Sequence, residues 1–158
     1  MKVLVSAYAC EPGKGSEPEV GWQWVHQIAR FHEVWVITRA NNRNAIETAL
    51  SENPNDKLHF VYYDLPAWAR FWKKGNQGVH LYHQLWQCKI LPIARKLNQI
   101  HKFDICHHIT FGVVWHPSLF YKLPLPLVWG PFGGGEEAYP ACVKDFSFRG
   151  KFVELIRS

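Results

Sequence analysis

The sequence has few cysteines, and they lie far apart. They form no Cys-x-x-Cys pair, so the sequence indicates neither a zinc site nor a disulfide framework. Scattered thiols of this kind are typical of a reducing cytoplasm, which is where we expect the protein. The four are Cys10, Cys88, Cys106 and Cys142.

Long apolar runs and nucleic-acid motifs are also missing. No stretch approaches the roughly twenty apolar residues of a membrane-spanning helix, and Met1 leads directly into a strand pattern rather than a signal peptide. We find no helix-turn-helix, ribonucleoprotein or zinc-finger signature, and basic residues are dispersed except around Lys73, so no nucleic-acid partner is expected. The net charge of +5 favours contact with phosphorylated substrates or acidic lipids.

The glycine-rich loop after the first apolar run lacks two familiar nucleotide-binding signatures. A dinucleotide fingerprint needs a third glycine where Pro18 stands and an acidic residue closing the second strand, where the chain has Arg39. A P-loop needs Ser or Thr directly after its lysine, but Gly15 separates Lys14 from Ser16. An NAD-dependent oxidoreductase is therefore disfavoured and stays open only as a remote alternative.

Aromatic side chains are abundant. The 158 residues fit one domain, yet 15% of them are aromatic and eight are tryptophan. This exceeds what a core of that size requires, so some rings should face a ligand, a partner domain or a lipid surface.

Short apolar runs alternate with amphipathic stretches along the chain. Strand, helix and strand in quick succession imply parallel crossovers, so the sequence predicts an α/β fold: a Rossmann-like parallel sheet with helices on both faces. The predicted strands are 2–8, 33–38, 58–63, 103–109 and 124–129, and the predicted helices are 17–31, 41–51, 80–100, 117–121 and 146–157.

The long helix over 80–100 carries two further expectations. Leu81, Leu85 and Cys88 fall near one face of it. His80 and His83 share a face, but no third ligand is suggested nearby, so we expect solvated histidines rather than a metal site.

The start of the first helix is signalled by a capping box. Ser16 is expected to cap the free amides while Glu19, three residues on, reaches back to the Ser16 amide. Gly13 and Gly15 allow close approach of the backbone to a ligand. The loop therefore offers amide donors at a positive helix end, where phosphate or carboxylate groups bind.

The end of the fourth strand carries candidate polar side chains. Ligands of open parallel sheets bind outside the carboxyl ends of the strands, so His108 and Thr110 should lie near the loop after the first strand. An imidazole there can hydrogen-bond a substrate hydroxyl or a phosphate, which makes His108 the candidate for chemistry. His107 should point to the opposite face of the pleat, and one of the two histidines is structural.

A second close-approach loop follows the fifth strand. It contains three consecutive glycines, Gly133, Gly134 and Gly135, and then Glu136. Because this loop also leaves a carboxyl strand end, we expect it to face the same cleft as Gly13 and Gly15.

An aromatic and basic segment interrupts the alternation after the third strand. Its rings recur at helical spacing, so a helix here would place them on one face beside basic groups, suited to an anionic membrane surface. A flap that packs its rings on the domain is the alternative, and both stay open. The expected membrane contacts are Trp68, Arg70, Phe71, Trp72, Lys73 and Lys74.

Four stretches together resemble the N-terminal domain of a retaining, family-4 type glycosyltransferase with the GT-B fold. They are 3–12, the loop 15–18 with Val20-Gly21-Trp22, 103–111, and 128–136. The resemblance implies transfer of a sugar from a nucleotide-sugar donor to an acceptor hydroxyl with retained configuration. It also implies that this domain mainly binds the acceptor, a glycan or glycolipid, while a C-terminal domain holds most of the nucleotide.

The same resemblance implies roles for particular residues. Gly15, Ser16 and Glu17 would border the donor phosphates or the acceptor, the run 133–136 would line the cleft, and His108 would match the strand-end histidine of the family, with His107 one position away. No cofactor or metal is expected beyond the donor. The donor-domain motifs are absent from these 158 residues, so the chain should need a further or separate donor domain. The alternative is a non-catalytic module that binds a glycolipid or membrane surface, peripheral on the inner face.

Overall fold

A five-stranded parallel sheet forms the centre of the fold, in a computed structural model that describes residues 1–69, 78–134 and 138–157. The strand order is β3-β2-β1-β4-β5, and every neighbouring pair is parallel. The order reverses at β1, so the carboxyl ends of β1 and β4 flank the switch point where such sheets bind ligands. The strands are β1 Lys2–Ala7, β2 Glu33–Arg39, β3 Leu58–Tyr63, β4 Ile105–Thr110 and β5 Leu127–Trp129.

Helices cover both faces of this sheet, which confirms the predicted Rossmann-like α/β fold. Along β1, alternate side chains enter different cores: Val3 and Val5 pack with α1 and α2, whereas Leu4 packs with α3. Among the described residues, no helix combines the length and apolarity needed to cross a bilayer. The helices are α1 Ser16–Ala29, α2 Arg43–Glu52, α3 Val79–His101, α4 Pro140–Val143 and α5 Phe148–Arg157. Short 3-10 turns occupy Ala40–Asn42, Ala67–Ala69 and Leu119–Lys122.

The buried face of α3 is not the one that carries its leucines. Leu81 and Leu85 are 58% and 40% exposed, while Tyr82 and Trp86 are fully enclosed. These two rings lie one turn apart and bury more apolar area than leucine, so they set the rotation of the helix. His83 turns inward with them and is 1% exposed, so the expectation of a solvated histidine there is wrong.

Candidate functional site at the carboxyl ends of the strands

Three loops meet at the carboxyl ends of β1, β4 and β5. The Glu17 carboxylate accepts a hydrogen bond from the Phe111 amide, which joins the start of α1 to the end of β4. Gly133 donates to the Gly112 carbonyl oxygen at 3.0 Å and accepts from the Val114 amide at 3.1 Å. The two glycine loops thus lie along one edge of the sheet, on either side of the residues that follow β4.

Two adjoining cavities open along this edge. The Ser16 cavity, of about 580 Å³, is lined by residues that include Ser16, Glu17, His80 and Gly112. The Arg39 cavity, of about 180 Å³, is lined by polar side chains from the loop after β1 and from the residues after β2. Both share three lining residues, so we describe them together as the strand-end cleft. The shared residues are Pro18, Val79 and Phe111.

A larger groove, of about 890 Å³, lies at the opposite edge of the sheet. It is lined by Lys2, Glu33 and Asp104, among others, at the amino ends of the strands. None of the sequence-predicted site residues that the structure describes lines it. The position and the residues both favour the strand-end cleft as the candidate site.

The capping box predicted at the start of α1 is wrong in its geometry. Gly15 occupies the N-cap position, and the Ser16 side chain makes no capping hydrogen bond. Gly15 and Ser16 both have positive φ, 69° and 50°, and this turn places Ser16 inside the helix instead of before it. Glu19 does reach back, but its Oε2 accepts from the Gly13 amide at 2.6 Å. The first turn of α1 therefore keeps backbone amides without a side-chain cap beside the cleft.

The two predicted glycine loops differ in why they contain glycine. Gly13 has φ 70°, and a Cβ built at Gly13 or Gly15 would meet no atom within 4 Å. Backbone conformation rather than packing favours glycine at both positions. At Gly134 a Cβ would lie 2.4 Å from Cζ3 of Trp115, whose ring packs against the loop after β5. Gly135 and Glu136 lie outside the described residues.

His108 faces α3 and is enclosed. Its side chain is 1% exposed, and its ring centre lies 5.7 Å from that of His83. Burial lowers the pKa of His108 to about 4, although the Thr110 backbone acts in the opposite direction, so the imidazole is neutral at pH 7. His83 also contacts Phe111, at 5.2 Å between ring centres, and Phe111 lines the cleft. His108 itself does not line it.

His107 points to the opposite face, as the pleat predicts. Its ring lies 5.6 Å from the ring of Trp24 in α1, and its Nε2 is 2.8 Å from the Gly130 carbonyl oxygen. Burial lowers the pKa of His107, and the contact with this carbonyl acts in the opposite direction. A neutral imidazole protonated on Nε2 donates to Gly130, and this bond ties β4 to the loop after β5.

Thr110 also makes an internal contact. Residue 109 forms a bulge, because Ser6 pairs with His108 but Ala7 pairs with Thr110. The Thr110 hydroxyl accepts from the Ala9 amide at 3.0 Å, and the side chain is 1% exposed. Thr110 therefore fastens the loop after β1 to β4 and shapes the cleft from behind.

A buried charged network at the ends of β2 and β3 was not predicted from the sequence. The Arg39 guanidinium donates from Nε and Nη2 to the two oxygens of Asp64, at 3.1 and 3.4 Å. The Tyr82 hydroxyl also donates to Asp64, and the guanidinium lies 5.1 Å from the centre of the Tyr8 ring. Burial and the Asp64 carboxylate raise the pKa of Tyr82 to about 12, so this hydroxyl keeps its proton.

The sequence did contain a signal for this network. Arg39 ends β2 and Asp64 directly follows β3, and β2 and β3 are neighbours in the sheet. Charged residues at the carboxyl ends of adjacent parallel strands come together at one edge.

Four histidines gather beside the cleft without forming a metal site. The rings of His80 and His116 lie 6.0 Å apart, and those of His83 and His108 5.7 Å apart. Within the described ranges, no group of three or more His, Cys, Asp or Glu side chains is arranged to hold a metal ion.

Trp68 is the one expected membrane contact that falls within the described ranges. It lies on the Ala67–Ala69 turn and is 78% exposed. The other residues of the predicted aromatic and basic face lie outside the described residues; they are Arg70, Phe71, Trp72, Lys73 and Lys74.

Comparisons of the chain with protein-family models, with curated proteins and with solved structures find no match.

Proposed function

We propose that this chain is the acceptor-side domain of a retaining glycosyltransferase, which transfers a sugar from a nucleotide-sugar donor to an acceptor hydroxyl. The observation that carries the proposal is that the loop after β1 and the residues after β4 line one cleft at the switch point of a Rossmann-like sheet. The loop after β5 does not line this cleft through its described residues, but Gly133 is hydrogen-bonded to Gly112, which does. The loops after β1 and β5 are the glycine loops on which the family resemblance rests. The acceptor would be a glycan or glycolipid, and the protein would work in the cytoplasm.

The start of α1 is suited to an anionic group of the donor. Its first-turn amides have no side-chain cap, and the positive end of the helix dipole lies beside Ser16 and Glu17 in the cleft. Charge that develops on a leaving diphosphate is stabilised by preorganised amides of this kind. The chain thus supplies part of the donor site without requiring a metal.

We assign to His108 the role of hydrogen-bonding the reacting acceptor hydroxyl or exchanging a proton with it. It is a neutral imidazole at pH 7, so one nitrogen can accept a proton or hydrogen bond while the other donates. The remainder of the donor site, including the basic groups that neutralise the phosphates, belongs to the second domain of the GT-B arrangement. Without that domain the reacting centre would face water, and the chain should transfer little sugar.

Transfer by the complete enzyme tests this proposal. The chain is combined with its donor domain, as one polypeptide or as a separate subunit, and incubated with UDP-glucose, UDP-galactose or GDP-mannose and a glycolipid extract. We expect a glycosylated product, and His108→Ala should lower turnover by about 100-fold, the usual contribution of an acid–base group. His59→Ala, at the far edge of the sheet on β3, is the matched control.

His108→Gln serves as a second variant, because it preserves side-chain volume where alanine leaves a cavity. Circular dichroism establishes that both variants are folded. Wild-type turnover in a folded variant would remove His108 from the site. Absence of product with every donor would contradict the proposal itself.

A membrane-surface module is the second candidate, and the exposure of Trp68 favours it. A tryptophan that is 78% exposed at the start of an aromatic and basic sequence segment is suited to the headgroup layer of an anionic bilayer. Flotation with phosphatidylglycerol-containing vesicles, compared with phosphatidylcholine alone, tests it. Trp68→Ala should weaken binding, whereas Trp24→Ala, a 43% exposed tryptophan on α1, should not.

The flotation result also separates the two candidates. Binding to neither kind of vesicle contradicts the membrane role. Lipid binding without transfer, even after the donor domain is supplied, favours the module over the enzyme.

A further inference from the structure

The two cations that line the Arg39 cavity are each paired with a carboxylate, of which one, Glu11, also lines the cavity and the other, Asp64, does not. Lys14 Nζ lies 2.6 Å from Oε2 of Glu11, and both residues line the cavity. Arg39, which also lines it, is paired with the Asp64 carboxylate at 3.1 Å. Each cation therefore already has a carboxylate partner. An anionic ligand would have to compete with Asp64 and meet the charge of Glu11.

Hydrogen-bond donors and acceptors are mixed in the same lining. Asn41 is exposed and offers both a carbonyl oxygen and an amide group, and Glu11 adds acceptor oxygens. The Arg39 guanidinium carries five N–H donors, of which the Asp64 pair uses one on Nε and one on Nη2. A carboxylate or fully ionised phosphate group only accepts hydrogen bonds, whereas a sugar hydroxyl both donates and accepts. This lining suits hydroxyl groups.

Aromatic rings complete the wall. Tyr8 and Phe111 line the cavity, and their ring centres lie 4.5 Å apart. Phe111 has a φ of 61°, unusual for a bulky residue, and Glu17 holds its amide in place. Backbone strain in a residue that lines a cavity is typical of binding sites. Tyr8 is only 3% exposed, so the apolar surface of this wall comes from the half-buried Phe111 ring. One ring beside planar polar groups suits a ligand with one apolar C–H face and several hydroxyls.

We propose that the Arg39 cavity binds an uncharged sugar ring of the acceptor, with Arg39 and Asn41 as the residues that determine specificity. The inference rests on the proposed function only in assigning this sugar to the acceptor. The inference states that the ligand is uncharged. A neutral hexoside should bind this cavity more tightly than a hexuronate or a hexose phosphate of similar size.

Equilibrium binding to the 158-residue chain tests the inference without any transfer reaction. The probes are the methyl α-glycosides of glucose, mannose and galactose, compared with glucuronate and glucose 6-phosphate, by saturation-transfer NMR and calorimetry. We expect at least one neutral glycoside to bind ten-fold more tightly than either anion. Tighter binding of an anion, or no binding of any neutral glycoside, overturns the inference.

Two substitutions locate the binding. Asn41→Ala removes an exposed amide and should weaken glycoside affinity about five-fold. Asn44→Ala, at a second exposed asparagine, in α2 and outside the cavity, is the matched control and should leave affinity unchanged. Arg39→Lys keeps the charge but loses the planar fork, and should weaken affinity about ten-fold. Unchanged affinity in folded Asn41→Ala and Arg39→Lys overturns the assignment to this cavity.

The binding and transfer experiments distinguish a failure of this inference from a failure of the proposed function. Glycoside binding at Asn41 and Arg39 with no transfer in the complete enzyme would support this inference and contradict the proposed enzyme. Transfer to a phosphorylated acceptor, together with preferential binding of the anions, would support the proposed enzyme and contradict this inference.

Discussion

Lowering the pH from 7 to 4.5 should destabilise the fold strongly, because two histidines are buried as neutral imidazoles. The pKa of His83 is lowered to about 2. Burial is the largest cause, and the neighbouring histidines His108, His116 and His80 add to it. Burial also lowers the pKa of His108 to about 4. Tyr8, directly after β1, packs against His83 and offers a ring rather than a countercharge. Neither histidine makes an ion pair in the described part of the chain.

The sign of the effect follows from the protons that each state binds. In the unfolded chain both histidines have a pKa of about 6.5, so below that pH the unfolded state binds more protons than the folded state. The stabilising contribution is complete above pH 6.5 and falls as the pH drops towards 4 for His108 and towards 2 for His83. Each histidine contributes a slope of ~1.4 kcal/mol per pH unit, so the two together should remove ~5 kcal/mol between pH 6.5 and 4.5. That is comparable to the total stability of many domains.

Urea unfolding, followed by tryptophan fluorescence at pH 7.5, 6.5, 5.5 and 4.5, measures this slope. His108→Gln and His83→Gln should each reduce the slope by about half, because glutamine does not titrate. His59→Gln, a partly exposed histidine on β3, is the control and should retain the slope. Equal free energies of unfolding at pH 7.5 and 4.5, or an unchanged slope in both buried-site variants, would refute the reasoning.

Two further predictions concern stability. Asp64→Ala leaves the guanidinium of Arg39 without its buried carboxylate partner and should lower the free energy of unfolding by about 3 kcal/mol; a loss below about 1 kcal/mol in urea titrations would contradict the network. Gly21→Ala would bring a Cβ to 2.1 Å from the Ala9 carbonyl oxygen, and should cost about 2 kcal/mol as α1 moves away from the sheet. Gly133→Ala, where a Cβ meets nothing within 4 Å, is the control for the glycine series.

The strands were predictable because parallel strands buried on both faces leave short, continuous apolar runs. The predicted second strand, 33–38, lies within β2 Glu33–Arg39, and the predicted third strand coincides with β3 Leu58–Tyr63. The long helix was also predictable, since 80–100 falls inside α3 Val79–His101. The buried face of α3 was not predictable in this way. The spacing of its leucines does not show that Tyr82 and Trp86 bury more apolar area than the leucines do.

The side-chain contacts at the cleft were harder to predict, because they depend on strand order and on single backbone angles. The positive φ of Gly15 and Ser16 moves the start of α1 by one residue and redirects Glu19. The Arg39–Asp64 pair forms only because β2 and β3 are neighbours. Asn42 occupies the N-cap position of α2, but its side chain turns inward to the Tyr8 carbonyl oxygen and the Thr38 hydroxyl. Such a choice between cap and core depends on which polar atoms lie underneath.

The enclosure of His108 places a condition on its proposed role. A group that handles a substrate proton must come within about 3 Å of it, yet His108 is 1% exposed, and His83 and Phe111 lie between it and the cleft. Phe111 would therefore have to move when substrate binds. Its φ of 61° is a conformation that costs roughly 1–3 kcal/mol and is held by the Glu17 carboxylate at the start of α1. The test is a structure of the complete enzyme with a bound nucleotide sugar. If Phe111 keeps this conformation there and His108 stays enclosed, His108 is a structural core residue and not a catalytic one.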